Sequence, residues 1–128
     1  MLKSIDNIGI AVSDLITSFK FYESLGFIKT WENEKSCMIQ HESVILFLFQ
    51  TDNIISPKPE RKIPDLFNNP VGIDYIAFQS DNVDRFYQEI KAKGIQFILE
   101  PIDQEWGARM AAAKDPDGNV LYFIQRVN

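Results

Sequence analysis

The chain has 128 residues, of which 45% are hydrophobic and 12% aromatic, and its formal net charge is -5. This composition excludes a disordered chain, and the acidic balance argues against a protein that binds the phosphate backbone of nucleic acids. A single cysteine, Cys37, excludes an intramolecular disulfide and favours a cytoplasmic protein. No apolar run reaches the roughly 18 residues of a membrane span, so we expect no membrane partner.

The first half of the chain reads as strand, helix, glycine and further strands. Large and small side chains alternate over residues 8–12, which predicts a strand with one bulky face near residues 5–12. Ser13 and Asp14 are suited to cap a helix, and Gly26 is suited to end it. The apolar residues of that helix follow helical spacing: Leu15, Phe19, Tyr22 and Leu25. Three more strands are predicted at 28–32, 36–41 and 44–50.

The second half repeats this order 68 residues later. "IDNIGIAV" begins at Ile5 and "IDYIAFQS" at Ile73, which predicts a strand at 72–80. Asp81 or Asn82 is the expected helix cap, and Gly94 the expected end. The helix stripe consists of Val83, Phe86, Tyr87 and Ile90.

The closing strands of the two halves match at a larger offset. "LFLFQ" ends at Gln50 and "LYFIQ" at Gln125, which is an offset of 75 rather than 68. Seven extra residues are therefore expected in the second half, around "DQEWGARM". The later strands are predicted at 95–100, 108–114 and 119–126, with a turn at "DPDG" between the last two.

These elements predict an α+β protein with one domain, spanning residues 1–128 and built of two βαβββ modules. Module one covers residues 1–50 and module two residues 71–128, and the proline-rich segment 51–70 reads as a linker. One helix covers only one face of a four-stranded sheet. The other face must therefore be covered by another module or form a cleft.

The segments "IDNIGIAVSDLITSFKFYESLGF" and "DPDGNVLYFIQ", together with the paired modules, resemble the vicinal oxygen chelate superfamily. That group includes glyoxalase I, extradiol dioxygenases, fosfomycin-resistance enzymes and bleomycin-resistance proteins. The resemblance runs from about Ile5 to Gln125. It implies a curved eight-stranded mixed sheet with helices on its convex side, a crevice on its concave side, and a homodimer. In the metal-dependent members, one residue from the first and one from the last strand of each module holds a divalent ion.

In this chain the four metal-binding positions of the family are occupied by Asn7, Phe47, Tyr75 and Tyr122. Relatives that bind metal usually carry His or Glu there. Asparagine is a weak donor for transition metals, phenylalanine has no donor, and neutral tyrosine seldom ligates. The single histidine, His41, reads as a surface hairpin residue. We therefore predict no metal site and no cofactor.

Without a metal, these positions predict an aromatic crevice that binds a ligand. Strand alternation places Asn7 and Tyr75 on the crevice faces, and Phe49 shares the face of Phe47. Strand 44–50 is apolar on both faces, which predicts that both are shielded from water. Aromatic rings stack on flat or cationic groups of ligands.

A second group of candidate binding residues precedes the penultimate strand. Trp106 and Arg109 lie where the bleomycin-resistance proteins have a similar Trp-Gly stretch. Ala111 and Ala113 are small enough to leave room for a ligand, and the acidic segment 103–105 favours a cationic one.

The sequence favours a metal-free, cytoplasmic, homodimeric protein that sequesters a small aromatic or cationic molecule. No catalytic residue is predicted, because the chain has no Ser-His-Asp set, no Cys-His pair and no phosphate-binding glycine loop. The alternatives are an enzyme of the same superfamily (a lyase, isomerase or dioxygenase), a metal-free enzyme in which Tyr75 and Tyr122 do acid–base work, and a dimeric association module without a ligand. Inert packing of the aromatic residues is the remaining interpretation.

Overall fold

The computed structural model describes residues 1–55, 59–63 and 65–126. The elements are β1 (Ile8–Val12), α1 (Leu15–Ser24), β2 (Ile28–Glu32), β3 (Ser36–His41), β4 (Val44–Gln50), β5 (Tyr75–Gln79), α2 (Val83–Ala92), β6 (Phe97–Gln104), β7 (Ala108–Lys114) and β8 (Val120–Arg126). The predicted α+β class and the two βαβββ modules are confirmed. Neither described helix is long and apolar enough to cross a bilayer.

The eight strands are divided equally between two mixed sheets, with orders β1-β4-β3-β2 and β5-β8-β7-β6. In each sheet the first and last strands of the module pair in parallel, and the remaining pairs are antiparallel. Ile8 pairs with Leu46 and Ile76 pairs with Leu121. The same register in both sheets confirms the two offsets, 68 and 75, that the sequence predicts.

The extra residues of the second module lie mainly in its β6–β7 hairpin. Ala112 lies 13 positions after its partner Leu99, whereas Met38 lies seven positions after its partner Trp31. Six of the seven extra residues are therefore in this hairpin, as predicted. The seventh is in the β7–β8 turn, because Tyr122 lies ten positions after Ala112 and Phe47 nine positions after Met38.

Residues 1–56 form one compact unit whose core lies between α1 and its sheet. Val12, Ile39, Leu46 and Leu48 are fully buried on the helix side of the sheet. The rings of Tyr22 and Phe27 meet edge to face, with centroids 5.8 Å apart, and close the end of this core. The bulky face of the predicted strand is thus the face that packs under the helix.

Residues 57–128 form the second compact unit, which includes part of the predicted linker. On the helix side, Phe123 packs against Phe86 of α2, with ring centroids 4.7 Å apart, and Tyr87 packs against Phe97 of β6 at 4.8 Å. Ile63, from the segment interpreted as a linker, packs against the apolar cluster on the other side of the sheet. The prediction that this segment lies outside the core does not hold for Ile63.

Both helices begin in the same way, and the sequence predicts the capping residues of this arrangement. Asp14 and Asn82 accept hydrogen bonds from the backbone N–H groups of Thr17 and Arg85, which caps α1 and α2. In each module a glutamine at or next to the end of the last strand adds a second bond. The side-chain oxygen of Gln50 accepts from the N–H of Leu15, and that of Gln125 from the N–H of Val83, each at 2.9 Å. These glutamines satisfy helix N–H groups that would otherwise lack a partner.

Candidate functional site

The face of each sheet opposite its helix is here called the open face. In the first sheet it includes Gly9, Ala11, Met38, Phe47 and Phe49, since directly paired residues point to the same side. The rings of Phe47 and Phe49 stack with centroids 5.7 Å apart. Phe49 is 38% exposed, so the prediction that both faces of β4 are shielded from water fails on this face.

The open face of the second sheet carries the matching positions. Tyr122 pairs with Ala77 on one side and Ala112 on the other, and the ring of Tyr75 lies beside its own ring. The two centroids are 4.5 Å apart, and the ring planes are inclined by 45°. Tyr75 is 47% exposed, whereas Tyr122 is only 8% exposed. Each open face therefore combines a less accessible ring with a more accessible one.

An apolar cluster surrounds Tyr122 on the open face of the second sheet. It consists of Ala108, Met110, Ala112, Val120, Tyr122 and Ile124, with Ile63 and Leu99 packed against it. The small residues that flank Tyr122 are therefore Ala77 and Ala112. Ala111 and Ala113, which the sequence suggested as room for a ligand, are fully buried on the helix side. Side chains alternate between the two faces of a strand, so Ala111 and Ala113 point away from the face shared by Tyr122 and its partner Ala112. Once that pairing is assigned, the sequence alone gives this result.

Two acidic residues next to the family's metal-binding positions accept hydrogen bonds from other side chains. Asn7 is exposed ahead of β1 and donates a hydrogen bond to the carboxylate of Asp6. Asp74 accepts hydrogen bonds from Arg61 and Asn69, each at 2.9 Å. Asp74 thus anchors the segment before β5.

The side chains at the metal-binding positions of the family do not fit a divalent ion. Phe47 has no donor atom, and the amide of Asn7 is a weak ligand for transition metals. Burial raises the pKa of the Tyr122 hydroxyl, and the nearby Asp74 and Tyr75 raise it further. The ligating form of tyrosine is the phenolate, which these effects disfavour. Across residues 1–55, 59–63 and 65–126, no three His, Cys, Asp or Glu side chains are grouped to hold a metal ion.

Trp106 and Arg109 do not join the aromatic pairs. Trp106 is half-exposed in the turn between β6 and β7, and the guanidinium of Arg126 lies 5.0 Å from the centroid of its ring. Arg109 is on the helix side of β7, where its guanidinium donates two hydrogen bonds to the carboxylate of Asp84 and one to Asp103. The hydrogen bonds to these two carboxylates raise the pKa of Arg109, and the hydrogen bonds from its guanidinium, together with its charge, lower the pKa of Asp84. Arg109 ties the start of α2 to the sheet.

The single histidine and the single cysteine of the chain lie outside the open faces. The Nδ1 atom of His41 lies 3.0 Å from the carbonyl oxygen of Gly26, at the end of β3. Cys37 is buried, and burial raises the pKa of its thiol. A raised pKa disfavours the reactive thiolate. Neither residue is placed as a nucleophile.

A separate hollow of about 420 Å³ lies between α2 and β6 on the helix side of the second unit. Lys91 donates to the hydroxyl of Tyr87 at 3.2 Å, and this hydroxyl donates to Glu100 at 3.0 Å. These three polar groups are bonded to one another, and the hollow lies across the sheet from the aromatic pair.

Comparison with known proteins agrees with this geometry. A model of the Glyoxalase/Bleomycin resistance protein/Dioxygenase superfamily matches residues 4–123. The bleomycin resistance protein of Klebsiella pneumoniae is 30% identical over 125 residues, which cover 88% of this chain and 84% of that protein. The virulence protein STM3117 of Salmonella typhimurium is 26% identical, over 99% of this chain and 87% of that protein. The crystal structure of a bleomycin-binding protein complexed with bleomycin is similar with a TM-score of 0.68 at 26% identity, covering 97% of this chain and 99% of that one.

Proposed function

Because this chain belongs to the glyoxalase/bleomycin resistance protein/dioxygenase superfamily, we propose that it is a metal-free protein that binds and sequesters a small aromatic or cationic molecule. The observation that carries the proposal is the replacement of the family's metal ligands by aromatic rings and one amide. Phe47 with Phe49, and Tyr75 with Tyr122, form pairs on the open faces. Such rings hold a flat or cationic group but supply no ligand for a metal.

Ring chemistry makes these faces suitable for binding. A stacked aromatic contact contributes about 0.5–1.5 kcal/mol beyond the burial of its apolar area. A cation over a ring gains a comparable amount when it is partly desolvated. Phe49 and Tyr75 are the accessible members of the two pairs, so they are the rings that a ligand would contact. Sequestration needs no chemical step, since protection follows from mass action between ligand and protein.

A specific ligand is suggested by similarity. One protein to which this chain is 26% identical was crystallised with bleomycin, and another, 30% identical, is a bleomycin resistance protein. Bleomycin is therefore the first probe to test. The same scaffold supports many chemistries in different proteins, so a panel of other aromatic cations belongs beside it.

The test is a thermal-shift titration followed by calorimetry. Bleomycin or another aromatic cation should raise the melting temperature of the protein. Tyr75→Ala should raise the Kd about tenfold, which is the effect expected from the loss of one stacking contact. Tyr75→Phe keeps the ring and should retain binding. Ile16→Ala, at an exposed apolar position on α1, is the matched control and should bind as the wild type does. If the ligand stabilises Tyr75→Ala as much as it stabilises the wild type, the proposal is wrong.

The enzyme alternative predicts a different result in metal analysis. A lyase, isomerase or dioxygenase of the metal-dependent kind would carry about one equivalent of transition metal when purified without chelator. We expect no stoichiometric metal, because the four positions lack suitable donors. A full equivalent that is lost on Tyr122→Phe would favour the enzyme. A protein that responds to no small molecule but forms a tight complex with another protein would favour the association module.

We extend the proposal to a cytoplasmic homodimer. The resemblance to the vicinal oxygen chelate proteins implies a dimer. A single buried cysteine suits a reducing compartment. Light scattering coupled to gel filtration should give about twice the chain mass of 14.8 kDa. Cell fractionation should place the native protein in the cytoplasmic fraction.

A further inference from the structure

The two open faces are covered to different extents at equivalent positions. The offset of 75 residues makes Tyr122 the equivalent of Phe47, and Ile124 the equivalent of Phe49. Phe49 is exposed and Phe47 half-buried, whereas Tyr122 and Ile124 are both buried. The last strand of the second sheet is therefore covered more fully on its open face than the last strand of the first.

Ile63 supplies part of this cover from outside the sheet. It packs, together with Leu99, against the apolar cluster around Tyr122. Leu99 belongs to β6 and pairs with Ala112, so it is part of the sheet itself. Ile63 lies in neither a strand nor a helix, and it reaches the cluster from the segment that precedes β5. Its half-buried side chain therefore covers apolar area that the sheet alone would leave open to a ligand.

A row of three residues crosses one end of the second open face: Tyr75, Val120 and Lys114. Val120 pairs with both of the others, and directly paired residues point to the same side. Neighbouring strands lie about 4.8 Å apart, so the row is roughly 10 Å long. The ring of Tyr75 also lies beside that of Tyr122. This end of the open face is therefore the end that holds the aromatic pair.

Hydrogen bonds fasten the segment before Ile63 to both ends of this row. At one end, the Nζ of Lys114 donates to the carboxylate of Glu60 at 3.3 Å. At the other end, Arg61 donates to the carboxylate of Asp74, just before β5, at 2.9 Å. The segment therefore crosses the open face where the aromatic pair lies, and these bonds hold Ile63 beside that pair.

We infer that Ile63 is a specificity-determining residue, which lets one flat ring reach Tyr75 and denies a wider fused ring system the further contact over Tyr122. The inference rests on the proposed function and names a residue that selects its ligand. Tyr75 is about half-exposed, so a single ring can reach it. A fused system gains a second stacking contact only by extending over Tyr122, which Ile63 helps to cover. The ligand class that this face favours is therefore a cation with one flat ring.

Calorimetry with two cations of different width tests the inference. Benzyltrimethylammonium has one ring, and N-methylacridinium has three fused rings. Ile63→Ala should lower the Kd of N-methylacridinium at least about fivefold, because the uncovered ring of Tyr122 adds a stacking contact. The Kd of benzyltrimethylammonium should stay within about twofold of the wild-type value, because its single ring already reaches Tyr75.

Ile95→Ala is the matched control. It removes the same atoms from another half-buried isoleucine, which lines the hollow between α2 and β6 on the other side of the sheet. This variant should change the Kd of neither cation. If Ile63 only stabilises the fold, Ile63→Ala will behave as Ile95→Ala does, with a lower melting temperature and unchanged selectivity.

The cover over Tyr122 is also measured without a ligand. NMR of tyrosine labelled with ¹³C at Cζ follows the ionisation of each ring, and Tyr122→Phe assigns the signal. Burial is the main cause of the raised pKa of Tyr122, so Ile63→Ala should lower this pKa and Ile95→Ala should not. Ile63→Val removes a single methyl group and should give smaller shifts in the same directions, so it replaces Ile63→Ala if that variant does not fold.

The results separate this inference from the proposed function. Unchanged selectivity or an unchanged Tyr122 pKa in the Ile63 variants would overturn the inference, and binding by the wild type that Tyr75→Ala weakens would leave the proposed function standing. If only the Ile63 variants bind N-methylacridinium and the wild type binds neither cation, Ile63 is the residue that closes the face and the proposed function is rejected. If no variant binds either cation, both are rejected.

Discussion

At the scale of single residues, Ser18 of α1 is the anomaly in the helix-side core. It is buried, and its hydroxyl has no hydrogen-bond partner among the described residues. The predicted helix stripe of Leu15, Phe19, Tyr22 and Leu25 does not include it, because a serine is a weak signal of burial. The buried helix face is instead formed by Ser18, Phe21, Tyr22 and Leu25, and Phe19 is only half-buried.

We expect Ser18→Ala to raise the free energy of unfolding by about 1 kcal/mol. The substitution removes a hydroxyl that was desolvated without a compensating bond. Ser36→Ala is the matched control, since Ser36 is also buried but its hydroxyl donates to Asn33 at 2.7 Å. Urea denaturation should show the first variant stabilised and the second destabilised. A loss of stability in both variants would mean that the Ser18 hydroxyl does form a hydrogen bond in the folded protein.

The raised pKa of Tyr122 predicts that the stability of the fold depends on pH at alkaline values. Burial, Asp74 and Tyr75 raise its pKa in the folded state above the value near 10 of an unfolded chain. The folded state therefore keeps a proton that the unfolded state releases. The corresponding stability is fully present below about pH 10 and is lost as the pH rises through the raised pKa. Urea midpoints between pH 8 and 11.5 should fall more steeply for the wild type than for Tyr122→Phe, and parallel curves would contradict this.

At the scale of elements, the two modules allow one position to be compared with its repeat. Gly26 and Gly94 follow α1 and α2, with φ angles of 112° and 94° that favour glycine. A Cβ at Gly26 would lie 3.1 Å from Nδ1 of His41, whereas one at Gly94 would meet no atom within 4 Å. The helix endings are equivalent in backbone but not in surroundings.

We expect Gly94→Ala to cost about 1–2 kcal/mol of unfolding free energy from the backbone alone. Gly26→Ala should cost more, because the His41 ring must also shift and its contact with the Gly26 carbonyl is disturbed. In a His41→Ala background the two glycine substitutions should cost the same. Chemical denaturation measures all of these, and a persistent difference without the His41 side chain would contradict the steric explanation.

The strands, helices and caps were predictable from the sequence because they depend on local patterns. Alternation in residues 8–12, the cap at Asp14 and the glycine at position 26 each act over a few residues, and the repeat supplied a second copy of each pattern. The hydrogen bond from Leu15 to Gln50 joins residues 35 positions apart and has no local signature. Its only signal was the glutamine at the end of both "LFLFQ" and "LYFIQ".

The candidate site was only partly predictable for the same reason. The repeat offsets placed Phe47 and Tyr122 at matching positions, and the structure shows the aromatic pairs to which they belong. Arg109 lies on the helix side by strand alternation, on the same face of β7 as Ala111 and Ala113. Its ion pair with Asp84, 25 residues away, has no local signature in the sequence.

At the scale of the whole molecule, the net charge of -5 bears on ligand affinity. A cationic ligand is attracted by the field of the protein, and salt screens this attraction. The Kd for an aromatic cation should rise about threefold or more between roughly 50 and 500 mM salt. An uncharged compound with the same ring should show little change. Calorimetry at several salt concentrations distinguishes the two, and equal salt dependence would mean that the charge of the ligand is irrelevant.

The parallel pairing of β1 with β4 has a consequence for how the chain is made. The opening strand can form no sheet contact of its own until Leu46 and Leu48 have left the ribosome, since its described partner in the sheet is β4. During translation, residues 8–12 therefore stay unpaired while nearly forty further residues emerge, and β5 stays unpaired while more than forty emerge before β8 is complete. The first strand of each module is thus exposed to wrong pairing until the last strand of that module has been synthesised.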